Sequence, residues 1–219
     1  MAKWNIFSGG GEWIDVLPDS VYDLLGLELP EQESLDDYIE FILPKIYYLG
    51  RDLSDTAVYT DTPWLEIRED AEFHEHIVHI FKPFGSPMEI KAKSEDDGPD
   101  YIRFINGIGS KGKWQYIEEG NMLIIKHAAV TPFNQGMSEF TSFHLKFLNS
   151  EFLILERSGR ILKGEKKYML MAREELAKFM EWRETIDLMY NPYRYNVVYI
   201  SLFVILIVLF FIIFYFSIR

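Results

Sequence analysis

Hydrophobic and polar residues follow three different patterns along this chain, and each pattern predicts a different kind of structure. Apolar residues recur at helical spacing from Leu35 to Ile46, directly after Ser34, which can cap a helix start. Pro44 should kink or end that helix because proline cannot donate to the helical ladder. From Pro63 onward, short runs of β-forming residues alternate with turn residues. Residues 197–218 form one unbroken apolar run.

The middle pattern predicts an antiparallel sheet. Thr141, Phe143, Leu145 and Phe147 alternate with polar residues, as expected of a strand with one buried face. The turns are too short for a crossover connection, so neighbouring strands should pair as an antiparallel meander. A mainly β fold is therefore expected, either a small barrel or a strongly curled sheet. The nine predicted strands are 64–69, 74–81, 88–93, 101–106, 113–117, 121–127, 140–148, 151–157 and 167–172.

Helical segments are expected on both sides of the sheet. Pro18, Asp19 and Ser20 predict the start of a first short helix, which precedes the one after Ser34. A closing helix is predicted from Arg173 to Tyr190, and Asn191-Pro192 should break it just before the apolar run.

The apolar run at the end of the chain predicts a transmembrane helix. Residues 197–218 contain no charged residue, Pro or Gly, and as a helix they would be about 33 Å long, enough to cross a hydrocarbon core of about 30 Å. Tyr193, Tyr195 and Tyr199 lie at one end and Tyr215 at the other, where aromatic rings favour the headgroup level. We expect an integral, tail-anchored, single-pass protein in a lipid bilayer.

The flanking charges predict the orientation of that anchor. Residues 1–15 contain no apolar run of signal-peptide length. Lys178, Arg183 and Arg194 precede the span closely, whereas Arg219 alone follows it. Positive charges favour the cytoplasmic side, so we expect the soluble domain to be cytoplasmic.

Composition excludes several functional classes. The formal net charge is −12, from 22 basic and 34 acidic side chains, and a nucleic-acid-binding protein needs a basic face instead. The chain has no cysteine, which excludes disulfides, thiolate catalysis and cysteine-ligated metals. We expect neither a nucleic-acid partner nor a cofactor.

Two motifs resemble ligand sites. Gly107, Gly109 and Gly112 match a nucleotide-binding spacing, but a strand rather than a helix follows them, so they predict a hairpin turn. His74 and His76 would share one face of a strand and are weak metal candidates, while His79 would point to the other face. The alternative is a polar strand face or one satisfied, half-buried histidine. No catalytic constellation can be argued, so an enzyme has no support from the residues.

Charge clusters suggest two surfaces. A local basic run could touch anionic headgroups, or it could be an ordinary charged loop; its members are Arg157, Arg160, Lys163, Lys166 and Lys167. The acids between Asp19 and Glu40 could dock a basic partner, or they could be the solvated faces of short helices. The candidate partner-docking residues are Trp4, Trp13, Asp36, Asp37, Phe203, Phe210 and Phe214.

Two family resemblances arise from the sheet region. Gly112-Lys113-Trp114, the strand 122–126 and the run 147–155 resemble small bacterial lipocalin-like meander domains, over about half of the chain. Residues 168–172, followed by a helix carrying Trp182, resemble the last strand and closing helix of pleckstrin-homology domains. Both resemblances imply an antiparallel meander, and the choice between them stays open.

These observations predict four segments and a function. The segments are an N-terminal arm with acidic helices (1–50), a β-meander domain (51–172), a closing juxtamembrane helix (173–192) and a transmembrane helix (197–218). The leading hypothesis is a membrane-anchored protein whose cytoplasmic β-domain binds a protein partner, as an accessory subunit of a membrane complex. The alternative is a small-molecule or lipid carrier held at the membrane. A large apolar cavity would favour the carrier, and a side-chain-filled barrel would favour the partner module.

Overall fold

The chain forms an eight-stranded β-sheet domain and a long C-terminal helix. The structure, a computed structural model, describes residues 25–69, 75–83, 98–128, 138–159 and 165–218. Its strands are β1 (Trp64–Ile67), β2 (Ile77–Phe81), β3 (Asp100–Ile105), β4 (Ile108–Ile117), β5 (Met122–Ala128), β6 (Ser138–Leu148), β7 (Phe152–Arg157) and β8 (Tyr168–Arg173). Its α-helices are α1 (Leu35–Ile46), α2 (Glu174–Ala177) and α3 (Trp182–Ile218), and two 3₁₀ turns span Tyr47–Leu49 and Thr56–Val58.

The sheet is a closed barrel. Each strand pairs antiparallel with the next one in sequence, from β1 to β8. The barrel closes where β1 pairs antiparallel with β8, from Trp64 opposite Arg173 to Ile67 opposite Leu170. The predicted mainly β, antiparallel meander is confirmed, and of the two options left open the barrel is the one that forms. The predicted strand 88–93 lies outside the described residues.

The glycine motif forms a hairpin, as predicted. Asn106 and Gly107 join β3 to β4 and have φ angles of +51° and +81°. Positive φ at both central residues is the signature of a type I′ turn, which matches the twist of paired strands. Strand β4 starts at Ile108, earlier than the predicted residue 113, because Gly109 and Gly112 pair with Phe104 and Tyr101 of β3.

An aromatic cluster fills the end of the barrel where β1 starts and β2 ends. Trp64, Phe81, Tyr101 and Trp114 are buried there with Tyr59, which directly follows the second 3₁₀ turn. Among these residues, Tyr59, Phe81, Tyr101 and Trp114 form four ring pairs whose centroids lie 5.4–5.9 Å apart, within the range of favourable aromatic pairs. Both indole nitrogens are satisfied: Trp64 donates to the Tyr59 carbonyl at 2.9 Å, and Trp114 donates to the Lys82 carbonyl at 2.8 Å.

Helix α1 begins where the sequence predicts. Ser34 caps it, since its hydroxyl accepts a hydrogen bond from the Asp37 backbone N–H at 3.2 Å. Pro44 lies inside the helix, which ends two residues later at Ile46. One face of α1 is buried, and the ring of Tyr38 packs edge-on against Trp182 with centroids 5.6 Å apart.

The predicted break at Asn191-Pro192 is wrong. Helix α2 is a single turn, and α3 then runs without interruption from Trp182 to Ile218, with Pro192 inside it. Proline removes only one helical hydrogen bond, the one to the carbonyl four residues earlier. The Arg194 side chain stabilises this turn, since it contacts Asn191 and Asp187 at 2.6 and 2.7 Å.

The chain divides into two compact units, and the division falls within α3. One unit is Gln32–Ile186, which holds the barrel and α1, and the other joins, within the described residues, 25–31 to 187–218. In the second unit Leu27 and Val198 are buried together, and the Arg194 guanidinium donates to the Leu27 carbonyl at 3.1 Å. Within the described residues, α3 is the one helix long and apolar enough to cross a membrane.

The aromatic cluster makes Trp114→Ala a test of the core. The side chain is 1% exposed, and its loss should lower the free energy of unfolding by about 3–5 kcal/mol, because truncating a buried aromatic ring leaves a cavity. Denaturant unfolding of the full chain in a mild detergent, followed by near-ultraviolet circular dichroism, measures this change.

Ile108→Ala is the matched control, since Ile108 is an apolar strand residue that is largely exposed. Its effect should stay within about 0.5 kcal/mol. A loss below about 1 kcal/mol for Trp114→Ala would contradict its assignment to the core.

Candidate binding site at the charged end of the barrel

A cavity of about 380 Å³ opens at the end of the barrel opposite the aromatic cluster. This is the end where β1, β3 and β7 finish and where β2 and β8 begin. The charged residues that line the cavity are Glu66, Arg68, Glu69, Arg103, Arg157, Lys166 and Lys167. The remaining lining residues are Leu35, Ile67, Ile77, Phe143, Tyr168 and Met169.

Strand alternation places several of these charged residues on the inner side of the sheet. Glu66 lies two residues after Trp64, and Arg103 two residues after Tyr101, so each shares the inward face of a core aromatic residue. Arg157 follows the core residue Leu155 in the same way and pairs across strands with Phe143. The inner face therefore changes from aromatic to charged along the barrel.

A hydrogen-bonded triad joins the two parts of the interior. His79 is 3% exposed, its Nδ1 lies 2.5 Å from the Tyr101 hydroxyl, and its Nε2 lies 3.0 Å from a Glu66 carboxylate oxygen. Burial raises the pKa of the Tyr101 hydroxyl, so this group remains neutral at physiological pH. Because both ring nitrogens of His79 have partners, the histidine is satisfied within the fold and holds Glu66 in place.

His76, one of the two weak metal candidates, is not part of this triad. His76 precedes β2, and its Nε2 lies 3.3 Å from Glu174. His74 lies outside the described residues. No group of three or more metal-ligating side chains converges within the described part of the chain.

Arg103 and Arg157 are incompletely paired. In both side chains Nε is buried and has no hydrogen-bond acceptor among the described residues. Arg157 makes one long contact with Glu165, at 3.5 Å, whereas Arg103 forms no ion pair with another described residue. A buried N–H without an acceptor costs about 1–3 kcal/mol, so both guanidinium groups are suited to an additional anionic partner.

The rim of the cavity joins α1 to the β7–β8 connection. Lys166 forms an ion pair with Glu69, and Lys167 pairs with Glu40 at 2.6 Å. The Glu40 hydrogen bond raises the pKa of the Lys167 amine. The Asp36 carboxylate accepts the backbone N–H groups of Lys167 and Tyr168 at 2.9 and 3.0 Å. The acidic helix and the basic loop are therefore partners within the domain.

The sequence-predicted surface residues thus lie in different places. Lys166 and Lys167 stand at the cavity rim and Arg157 inside it, while Asp36 is bound to β8. Asp37 accepts a hydrogen bond from the Ser34 hydroxyl at 2.6 Å. Residues Trp4, Trp13, Arg160 and Lys163 lie outside the described ranges. The membrane-surface and partner-docking roles of these residues remain predictions.

Sequence reasoning missed Glu66, Arg68 and Arg103. The signal was present in the alternation, since Glu66 and Arg103 occupy positions in phase with Trp64 and Tyr101. A charged residue on the face of a buried aromatic residue indicates an inward-pointing charge, and such charges need partners.

A second depression lies on the outer face of the barrel. It measures about 350 Å³, and its lining includes Val78, Ile80 and Phe104, which alternate with the inward-facing His79 and Arg103. Pro63, His76 and Glu174 also line it. We call it the outer groove.

We compared the chain with known proteins, and no family model, no curated protein and no solved structure matches it. The closed, eight-stranded antiparallel barrel is consistent with a lipocalin-like fold, which has the same number of strands.

The Asp36 contacts predict that Asp36→Ala will destabilise the domain. The substitution leaves two backbone N–H groups at the start of β8 without their charged acceptor, which should cost about 2 kcal/mol in the free energy of unfolding. Denaturant unfolding of the full chain measures the loss.

Asp37→Ala is the matched control, because both acids lie in the first turn of α1, where a negative charge interacts favourably with the helix dipole. Asp37 makes no contact with β8 in the described structure, so its loss should stay below about 1 kcal/mol. Equal losses for the two variants would show that the bridge to β8 contributes nothing to stability.

Proposed function

We propose that this chain is a single-pass, membrane-anchored protein without enzymatic activity, whose lipocalin-like barrel binds a protein partner. In this proposal the chain is an accessory subunit of a membrane complex, and the barrel faces the cytoplasm. The main support for a membrane anchor is that the apolar side chains of α3 are exposed.

The large apolar side chains between Tyr199 and Ile218 are exposed around the whole helix, from 40% for Leu202 and Ile207 to 70% for Phe216 and Ile218. A helix of a soluble core buries one apolar face, and soluble monomers rarely expose contiguous apolar patches above a few hundred Å². An apolar helix surface of this size is stable in lipid, where backbone groups are satisfied inside the helix.

The barrel interior supports the partner module over the carrier of a large apolar ligand. Buried side chains from β1–β8 fill the described interior around the aromatic cluster, and the cavity at the other end is lined by seven charged residues. Carriers of apolar molecules need a large apolar cavity instead.

Two surfaces could contact a partner. The outer groove offers Val78, Ile80 and Phe104 on the barrel. On the anchor, Phe203, Phe210 and Phe214 are exposed, and the rings of Phe210 and Phe214 stack with centroids 6.2 Å apart. Bulky rings of this kind can fill grooves between a partner's helices, where dispersion provides the packing.

The proposed orientation predicts a protease-protection result. In sealed vesicles with the cytoplasmic side inside, added protease should leave residues 1–196 intact, because positive charges precede the span. Permeabilised vesicles are the control and should allow digestion. Digestion of the barrel before permeabilisation would refute the cytoplasmic orientation.

The partner proposal predicts co-purification that depends on the anchor. A protein should co-purify stoichiometrically with the wild-type chain in mild detergent, as measured by mass spectrometry. Replacing residues 197–218 with polyleucine of equal length should reduce this recovery, because the aromatic surface is lost while the hydrophobicity is kept.

A second pair of variants tests the outer groove in the same assay. Phe104→Glu places a charge in the groove, and Phe140→Glu places the same charge on an exposed strand position outside it. If only the polyleucine variant loses the partner, the anchor holds the contact; if only Phe104→Glu does, the barrel holds it. Absence of a stoichiometric partner from the wild-type preparation would refute the proposal.

A further inference from the structure

We propose that the cavity at the charged end of the barrel binds a small organic anion, a carboxylate or phosphate that carries a short apolar group. This inference goes beyond partner binding and does not depend on it. Charge, unpaired donors and apolar lining support it separately.

The first support is the sign of the charge. Five basic side chains and two acidic ones line the cavity, although the protein as a whole has a net charge of −12. The two acids have partners already, since Glu66 contacts His79 and Glu69 pairs with Lys166. Neither acid neutralises Arg103 or Arg157 in the described structure. Arg68, Lys166 and Lys167 have carboxylate partners of their own, which are Glu75, Glu69 and Glu40. The positive charge that remains open to a ligand is therefore that of Arg103 and the weakly paired Arg157, and a partly enclosed positive charge attracts anions.

The second support is the state of the two arginines. Arg103 and Arg157 both line the cavity, and in each the buried Nε lacks an acceptor among the described residues. A guanidinium presents paired N–H groups that match the two oxygens of a carboxylate or phosphate. A small turn of either side chain towards an oxyanion would give the unpaired N–H an acceptor.

The third support is the apolar part of the wall. Ile77, Phe143 and Met169 line the same cavity, and Phe143 lies directly across the strand pair from Arg157. The volume of about 380 Å³ falls within the range of small-molecule sites. These side chains give the cavity an apolar wall beside the arginines, which suits an anion with a short apolar group better than a bare inorganic ion.

Calorimetric titration tests the site with the full chain in an uncharged detergent. Phenyl phosphate and hexanoate are the amphipathic probes, and inorganic phosphate is the probe without an apolar group. We expect saturable binding of at least one amphipathic probe, tighter than that of inorganic phosphate. Arg103→Gln and Arg157→Gln should each weaken it by about tenfold or more, because each removes a charge-assisted contact.

Arg173→Gln is the matched control. Arg173 also has a buried Nε without an acceptor among the described residues, but it lies at the opposite end of β8 and outside the cavity. Its substitution should leave probe affinity unchanged. Absence of binding by either amphipathic probe, or equal weakening by all three substitutions, would overturn the proposal.

A second measurement needs no variant and therefore does not depend on variant folding. Phenylglyoxal modifies accessible arginines, and mass spectrometry of the wild-type chain locates the modified positions. Phenyl phosphate should reduce the modification of Arg103 and Arg157 and leave Arg173 unaffected. Unchanged modification of Arg103 and Arg157 would overturn the proposal.

The same measurement distinguishes a free anion from a lipid headgroup. The full chain is placed in phosphatidylcholine nanodiscs with and without phosphatidic acid. Protection of Arg103 and Arg157 by phosphatidic acid alone would identify the phosphate as that of a membrane lipid. Protection only after phenyl phosphate is added would identify a soluble ligand. Either result supports the anion site.

Discussion

The barrel depends on β1, its shortest strand. β1 has four residues, all of which pair with β8, and two of them also pair with β2. Without this strand, β2 and β8 would both present unpaired backbone groups, the arrangement that promotes edge-to-edge association. The strand also brings Trp64 to the aromatic cluster and Glu66 to the cavity. The strand that closes the barrel therefore also places a residue of the candidate site.

The barrel interior has an aromatic end and a charged end, which differ in their need for water. The aromatic end excludes water, whereas the arginines of the other end need hydration or anionic partners, because an isolated buried charge is strongly unfavourable. The triad of Tyr101, His79 and Glu66 lies at the boundary and supplies each polar group with a partner. This hydrogen-bonded layer lets one small barrel contain both a dry core and a charged cavity.

The sequence predicted the features that depend on neighbouring residues. Ser34 as a helix cap, the Asn106-Gly107 hairpin and the apolar helix from Val197 all follow from local patterns. These patterns report backbone preference and periodicity, which are properties of short segments.

The features that were missed depend on distant or compensating contacts. Asp36 binds the backbone of Lys167 and Tyr168 from more than a hundred residues away, and no spacing rule connects them. The charged cavity needed the closed barrel to bring Arg103 and Arg157 to one end. At Pro192 the local rule predicted a break, yet the helix continues through it, and the Arg194 side chain contacts Asn191 and Asp187 across that turn.

The ion pair between Lys167 and Glu40 connects two predictions that stay open. One is the membrane-surface role of the basic run, and the other is the partner-docking role of the acids between Asp19 and Glu40. An anionic headgroup that binds Lys167 would compete with Glu40, and a basic partner that binds Glu40 would compete with Lys167. Both side chains are partly exposed, and ion pairs of this kind contribute about 1 kcal/mol or less. Breaking the ion pair between Lys167 and Glu40 therefore costs little free energy. The contacts of Asp36 differ from this ion pair, because their loss would leave two part-buried backbone N–H groups, those of Lys167 and Tyr168, without an acceptor. Of the three acids on α1, Glu40 is thus the one whose ion pair an external contact can replace, while Asp36 keeps the helix on the barrel.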